Sequence, residues 1–399
     1  MSNSLLSNRV NSMQESATLK MAQLSRDLTA KGKNVISLSI GEPDFDTPEH
    51  IKEAAKRALD DGYTKYTPVP GLPELRQAIV EKFKRDNGLH FDISQIVVSN
   101  GAKQSIANLV LALIDEGDEV ILFTPYWVSY VEIVKLGGGL PISLKADIAS
   151  DFKVNASQLK AAISGKTKMI IFSSPCNPTG SVYTKEELSK LSEVLADHPQ
   201  IVVVSDEIYE YINFTGGHSS IGTLPEVADR TVTVNGFSKG FAMTGWRLGY
   251  IGAPGWIASA CSKIQGQFTS GASSFGQKAA AYALQSSMQA TEAMKAAFLH
   301  RRDLMIDLLG QIDGMKVNVP QGAFYIFPNV SHFLGKSYQG EKIGNADDLA
   351  LYILDQAHVG IVSGSAFGDD ECVRLSYAAS EDELREAVRR IKHALIQLK

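Results

Sequence analysis

The sequence predicts an α/β protein with a mainly parallel central sheet, flanking helices and a smaller α+β domain. Three observations point there. Between about residues 47 and 290, short runs rich in valine and isoleucine alternate with helical patterns. The runs are continuous rather than alternating in polarity, as in strands buried on both faces beneath covering helices. Beyond about residue 290 the alternation stops, and at 399 residues the chain is long enough to build two cores.

The elements follow in order. Residues 1–46 are expected to join the smaller domain. A helix is announced at Thr47-Pro48, a capping hydroxyl followed by proline at the first helical position, and Ile51, Ala54, Ala55, Ala58 and Leu59 keep helical spacing. The strand candidates are Gln95–Ser99, Glu119–Phe123, Lys168–Ser173, Ile201–Val204, Thr231–Val234 and Gly249–Ala253, and together these segments make residues 47–290 the large domain. In residues 291–399 an amphipathic stretch at Ala296–Leu309 leads to apolar runs at Gly322–Phe327 and Val373–Tyr377. A last helix carries a capping box, Ser380 with Glu383, and apolar positions Leu384, Ala387, Val388, Ile391, Ala394 and Leu395.

Composition excludes several classes. A formal charge of −5 offers no basic field for polyphosphate, which argues against nucleic acid as a partner. Cys176, Cys261 and Cys372 make no CxxC and no metal-ligand spacing, and a sparse, odd count suits reduced thiols. The N-terminal stretch is polar and mixed in charge, unlike an export signal, and no apolar run is long enough to cross a bilayer. The expectation is a soluble, cytoplasmic protein that binds neither membrane nor metal.

The unusual residues collect where the strands end. Five of the six runs give way to Asn100-Gly101-Ala102-Lys103, Thr124-Pro125-Tyr126-Trp127, Ser174 to Gly180, Ser205 to Tyr209, and Asn235 to Lys239. Parallel strands would bring all five clusters to one cleft beyond their carboxyl ends. Gly101 opens a helix through Ile106, Leu109, Val110 and Leu113, and the free amides there would favour a phosphate, with Ser238 and Arg247 as further donors. Asp206, at a buried strand end, needs a partner if ionised. Taken singly, each residue has a plainer reading: a turn glycine, a helix-capping aspartate, a core tryptophan, a solvated arginine.

The combination carries more. Gly236–Gly249 reads Gly-Phe-Ser-Lys-Gly-Phe-Ala-Met-Thr-Gly-Trp-Arg-Leu-Gly, which resembles the cofactor-attachment signature of the class I pyridoxal-phosphate aminotransferases. Gly41-Glu42-Pro43, Tyr66, Asn177-Pro178-Thr179-Gly180, Asp206-Glu207-Ile208-Tyr209 and Arg374-Leu375-Ser376-Tyr377 follow in that family's order. The resemblance runs from about residue 5 to the end and is nearest to the bacterial aspartate aminotransferases of the aspartate/prephenate branch. It implies the fold-type I architecture of pyridoxal-phosphate-dependent transferases.

The same resemblance implies roles. Lys239 would hold pyridoxal 5'-phosphate as a Schiff base and later move the substrate Cα proton. Asp206 would pair with the pyridine nitrogen, and Tyr209 and Asn177 would donate to the 3'-oxygen. Trp127 would stack on the ring, while Gly101, Ala102, Ser238 and Arg247 would hold the phosphate, with Tyr66 of a second subunit completing it. A homodimer with shared sites is therefore implied. Arg374 would clamp the substrate α-carboxylate, assisted by Asn177 and the Gly41 backbone, and Lys103, beside the cofactor phosphate, would meet the distal carboxylate of aspartate or glutamate. The implied reaction moves an amino group between L-aspartate and 2-oxoglutarate in two half-reactions. Members that accept prephenate carry a basic residue where this chain has Gln14, a departure that argues against that donor. Cys176 stands where a polar residue is commoner and reads as a small buried thiol with no catalytic role. The rival readings are an aminotransferase of other or broader donor range (prephenate, aromatic, alanine) and a pyridoxal-phosphate lyase. A cofactor-sensing transcription regulator would need a DNA-binding domain for which the residues before 35 leave no room.

Overall fold

A computed structural model describes residues 5–399. In chain order the strands are β1 (Ile36–Ser37), β2 (Ile96–Ser99), β3 (Glu119–Thr124), β4 (Leu140–Lys145), β5 (Thr167–Ser173), β6 (Val202–Asp206), β7 (Thr231–Gly236), β8 (Gly249–Gly252), β9 (Tyr325–Ile326), β10 (Ser337–Tyr338), β11 (Glu341–Lys342), β12 (Val359–Gly360), β13 (Val362–Ser363) and β14 (Val373–Ser376). Seven of them form the central sheet, in the order β2-β8-β7-β6-β5-β3-β4. All point the same way except β8, which runs antiparallel to both β2 and β7.

The continuous apolar runs form strands because helices cover both faces. Val97, Val120, Leu122, Met169, Ile171, Val204, Val232 and Ile251 pack under the helices Ala102–Leu113 and Gly255–Phe268. Ile121, Ile170 and Val203 face the other way, against Leu188, Leu191 and Leu195 of helix Lys185–Ala196. All six predicted runs are strands, with ends shifted by up to two residues. One strand of the central sheet escaped the reading, as did the two-residue strands β1, β10, β11, β12 and β13 outside it. β4, Leu-Pro-Ile-Ser-Leu-Lys, is a half-exposed edge strand whose proline breaks the Val/Ile signature, and an edge is where a sheet tolerates proline.

Two details of the first predicted helix differ. It spans Glu49–Asp60 with Pro48 at the N-cap position, and the Thr47 hydroxyl donates to the Ala242 carbonyl at 2.7 Å instead of capping it. Leu59 is exposed, because the buried stripe ends at Ala58.

The C-terminal half has small antiparallel pieces. β9, β14 and β13 form a three-stranded sheet in which only Tyr325 and Ile326 of the Gly322–Phe327 run are paired as a strand. Helix Gln289–Leu309 and the capped helix Glu381–Ile396 close one core with helix Ala346–Ala357, and every apolar position expected on the last helix is buried. The N-terminal segment joins this part: β1 pairs in parallel with β12, and Met21 of helix Ala17–Ala30 enters the same core. Among the described residues no helix is long and apolar enough to cross a membrane.

The direction of β8 matters to the site. Gly249 pairs with Ser99 on one side and Gly236 on the other, next to the start of helix Ala102–Leu113. A Cβ at 249 would lie 2.1 Å from the Ala102 nitrogen, so glycine alone lets the strand lie under the helix start.

Candidate active site

The carboxyl ends of β2, β3, β5, β6 and β7 open on a single cavity of about 370 Å³, closed from the other side by Ile40, Gly41, Tyr325 and Arg374. Of the residues singled out in the sequence, Gly41, Ala102, Lys103, Trp127, Asn177, Asp206, Tyr209, Ser238, Lys239, Arg247 and Arg374 all line it. Gly101 stands at its edge: with φ +87° it turns the chain into the helix, and a Cβ there would come within 2.5 Å of the Arg247 guanidinium. Tyr66 is the exception, lying outside this cavity and 99% exposed.

Asp206 is the last residue of β6 and is buried. Its carboxylate accepts hydrogen bonds from the Tyr130 hydroxyl at 2.6 Å and the Ile208 amide at 3.2 Å. Burial raises its pKa to about 6, because these two donors only partly replace lost water. Lys239 follows β7 and donates to the Gly41 carbonyl. Burial, with the Arg374 charge adding to it, lowers its pKa to about 8. A buried acid pushed up and a buried amine pushed down in one cavity mark a place built for proton transfer.

Arg374, in β14, is buried to 2% exposure. Its guanidinium donates to Asn177 Oδ1 at 3.0 Å and to the Ser39 carbonyl at 2.6 Å, while its Nε has no partner. The rings of Tyr325 and Phe367 flank it, with centroids 4.5 and 4.9 Å from the guanidinium carbon. Because Asn177 accepts through its oxygen, its amide nitrogen is left to donate into the cavity. Tyr209 and Tyr325 share a hydrogen bond of 2.8 Å between hydroxyls.

On the opposite wall, Arg247 adopts φ +56°, a left-handed backbone that non-glycine residues rarely hold. Its side chain donates to the Thr244 and Asn100 carbonyls at 3.0 and 3.4 Å, beside the free amides of the helix that starts at Ala102. With the Ser238 hydroxyl these groups make an anion cradle. The Lys103 ammonium lies 5.0 Å from the Trp127 ring centroid, and Trp127 packs edge-on against Tyr130.

Sequence reasoning missed Tyr130, Tyr325 and Glu42. Tyr130 lies three residues beyond Trp127 on helix Ser129–Leu136, and a buried tyrosine one helical turn from a flagged residue was the available signal. Tyr325 was hidden inside an apolar run and gave none. Glu42, which accepts from Thr244 at 3.0 Å, was seen only as part of a motif.

A lysine just past a strand end, a buried aspartate in the same cavity and a buried arginine with one unpaired nitrogen are the arrangement that the resemblance implied, and the comparisons give the family. Residues 33–391 match the family of class I and class II aminotransferases. The chain belongs to that family. Across 99% of its length this aminotransferase is 48% identical to a bifunctional aspartate aminotransferase and glutamate/aspartate-prephenate aminotransferase of Petunia hybrida, covering 83% of that protein. It resembles the solved aspartate aminotransferase of Rhizobium meliloti with a TM-score of 0.95 and 43% identity, over 99% of both chains. For the aspartate aminotransferase of Thermus thermophilus solved with maleate the TM-score is 0.92 at 40% identity, over 98% of this chain and 99% of that one.

The lowered pKa of Lys239 has a direct consequence for its reactivity. In protein freed of bound small molecules, trinitrobenzenesulfonate labelling of Lys239, read by peptide mapping, should rise with a midpoint at pH about 8. Below that pH the amine is protonated and not nucleophilic. A midpoint at about 10, the range of a solvated lysine, would remove the buried-amine assignment.

Proposed function

We propose that this protein is a pyridoxal-phosphate-dependent aspartate aminotransferase, moving the amino group of L-aspartate to 2-oxoglutarate to give oxaloacetate and L-glutamate. The observation that carries the reading is the unfilled bonding of the cavity's charged groups. Asp206 is buried without a cation in contact, the Arg374 Nε has no partner, and Arg247 meets only carbonyls among the described residues. A protonated pyridine, a substrate carboxylate and a phosphate would answer these three in turn.

Bound there, pyridoxal phosphate supplies a conjugated sink for the electrons left when the substrate Cα loses its proton. The chain's residues do the rest. Lys239, with its lowered pKa, is the nucleophile that tethers the cofactor and the base that carries a proton to and from the substrate Cα. Asp206 holds a proton at the pyridine nitrogen, and Tyr130 keeps its carboxylate oriented. Asn177 and Tyr209 donate to the ring oxygen, while Trp127 covers the ring. Gly101, Ala102, Ser238 and Arg247 grip the phosphate. Arg374, fixed by Asn177, Ser39 and two aromatic rings, presents a planar fork to the α-carboxylate, and the Gly41 backbone and Asn177 complete that end.

Aspartate preference rests on Lys103. It lines the same cavity as Arg374 and would meet the distal carboxylate of a four- or five-carbon diacid held there, and the Thermus thermophilus relative was solved with the diacid maleate. A wider donor range including prephenate is the second reading, drawn from relatives named for both substrates. Against it, Gln14 is uncharged where the prephenate-accepting members carry a basic residue, and its backbone N–H donates to Glu132 at 3.1 Å. We further propose a homodimer: Tyr66 lies on the surface outside this cavity, and in the family it resembles the matching tyrosine would complete the phosphate site of a second copy.

Three measurements test this reading. The purified holoenzyme should be yellow, and its long-wavelength absorbance should fall on adding aspartate with no keto acid present; borohydride followed by peptide mapping should find the adduct on Lys239. An adduct elsewhere, or none, would overturn the assignment. Arg374→Ala should lower kcat/KM for aspartate by about two to four powers of ten, as expected when a buried ion pair worth about 3–5 kcal/mol is lost, and a loss below about fivefold would take Arg374 out of the site. Lys103→Met should penalise aspartate far more than alanine in steady-state kinetics, and equal losses would refute the distal-carboxylate role.

A further inference from the structure

Beneath the cavity, on the far side of the turn that carries Asp206 and Tyr209, lies a buried ionic cluster that the reaction does not use. In Asp206-Glu207-Ile208-Tyr209-Glu210, residues 206 and 209 face the cavity, and Glu207 and Glu210 turn the other way, both buried. The two glutamates meet at Asn87. Its amide nitrogen donates to Glu210 Oε2 at 2.7 Å and Glu207 Oε2 at 3.0 Å, with Ser220 Oγ at 3.1 Å. Its oxygen accepts from the fully buried Lys82 ammonium at 2.6 Å, and Lys82 also pairs with Glu210. His218 contacts Glu207 at 2.8 Å, while Ser220 and Ser205 donate to Glu207 at 2.6 and 2.9 Å.

The local backbone explains how one segment supplies both Lys82 and Asn87. In an α-helix, residues five apart are separated by about 140° around the axis and cannot meet. Here helix Pro73–Lys82 passes into a π-helical turn, Phe83–Asn87, which closes i to i+5 and brings Asn87 onto the Lys82 face. The residue before it, Asp86, accepts from the Tyr211 hydroxyl at 2.6 Å, so the π-turn grips the turn after β6 at Glu207, Glu210 and Tyr211.

The charges close on themselves. Two carboxylates face Lys82 and His218, and no group of the cluster is available to substrate. Burial would lower the His218 pKa, yet Glu207 lifts it above its ordinary value; burial would raise Glu207, yet His218, Ser220 and Lys82 together hold it below. A protonated His218 would balance the two carboxylates together with Lys82, although its Nδ1 has no partner among the described residues.

We propose that the Asn87-centred cluster is a positioning device for the reactive turn, and that Asn87 fixes where Asp206 and Tyr209 stand relative to the cofactor ring. Asn87 is a positioning residue, not a catalytic one. This rests on the transaminase reading above. Because Arg374 and Lys103 belong to other elements, loss of the anchor should affect the chemical step and the ring's environment more than substrate affinity.

The test compares parent holoenzyme, Asn87→Ala and a control, Leu188→Ala, which creates a cavity in the apolar core under helix Lys185–Ala196 without touching the cluster's hydrogen bonds. In Asn87→Ala the pH at which the bound cofactor's absorbance changes should move upward by about half a unit or more, since a misplaced Tyr209 donates less well to the ring oxygen. Its kcat should fall by about tenfold or more with KM for aspartate within about twofold of the parent, as misplaced reacting groups lose rate. Leu188→Ala should lose thermal stability with the absorbance midpoint and kcat near the parent's. If Asn87→Ala loses stability but keeps both, the cluster only stabilises the fold and the proposal falls. If Asn87→Ala does not fold, His218→Gln is read the same way, and an unmoved midpoint and kcat there would overturn the proposal equally. A parent protein with no borohydride-fixed cofactor on Lys239 would instead sink the transaminase reading, a separate result.

Discussion

The site is governed by buried charge that the chain itself does not neutralise. Asp206 and Arg374 lie on opposite walls of one cavity, each buried and each held by neutral dipoles: a hydroxyl and an amide for the acid, an amide oxygen and a backbone carbonyl for the guanidinium. Such groups usually cost several kcal/mol unless something pairs with them. The dipoles keep them oriented at a tolerable cost and leave the pairing to whatever enters. A ligand that brings a cation to one wall and a carboxylate to the other gains from both, which is a demanding description of what can bind tightly here.

This arrangement depends on topology. One mainly parallel sheet delivers a glycine, an aromatic ring, an asparagine, an acid and a lysine to the same edge from five separate strands. The arginine arrives from elsewhere, on β14 of the small antiparallel sheet, and reaches Asn177 across the cavity. The cavity thus lies where the parallel sheet meets the small antiparallel one, and Tyr325, against which Gly41 packs too closely for any Cβ, is part of that seam.

Much of this was legible in the amino-acid order. Strands buried on both faces leave a continuous apolar signature, and residues clustered just past their ends must share a cleft if the strands are parallel, so Ala102, Lys103, Trp127, Asn177, Asp206, Tyr209, Ser238 and Lys239 line the cavity, whereas Gly41 and Arg374 were reached only through the family resemblance. What stayed hidden has physical reasons. The edge strand β4 is half exposed and contains a proline, so it lacks the pattern of its neighbours. The reversal of β8 has no sequence signal, because a strand reads alike in either direction. Tyr130 and Tyr325 serve as hydrogen-bonding groups on otherwise apolar elements, where a tyrosine looks like core until its hydroxyl is traced to a partner. The Thr47 hydroxyl does not accept from the local helix amides; it donates to the distant Ala242 carbonyl and accepts from the Trp246 indole.

The ladder between β7 and β8 ends with Gly236 opposite Gly249. Everything between them, including Ser238, Lys239 and Arg247, is a closed excursion whose entry and exit are tied residue to residue across adjacent strands. Its span is therefore set by the sheet and cannot drift. One amino acid added to or removed from that loop would have to be absorbed inside it, changing the separation between the amine and the anion cradle, whereas the outer loops of the molecule could lengthen without the cavity registering it.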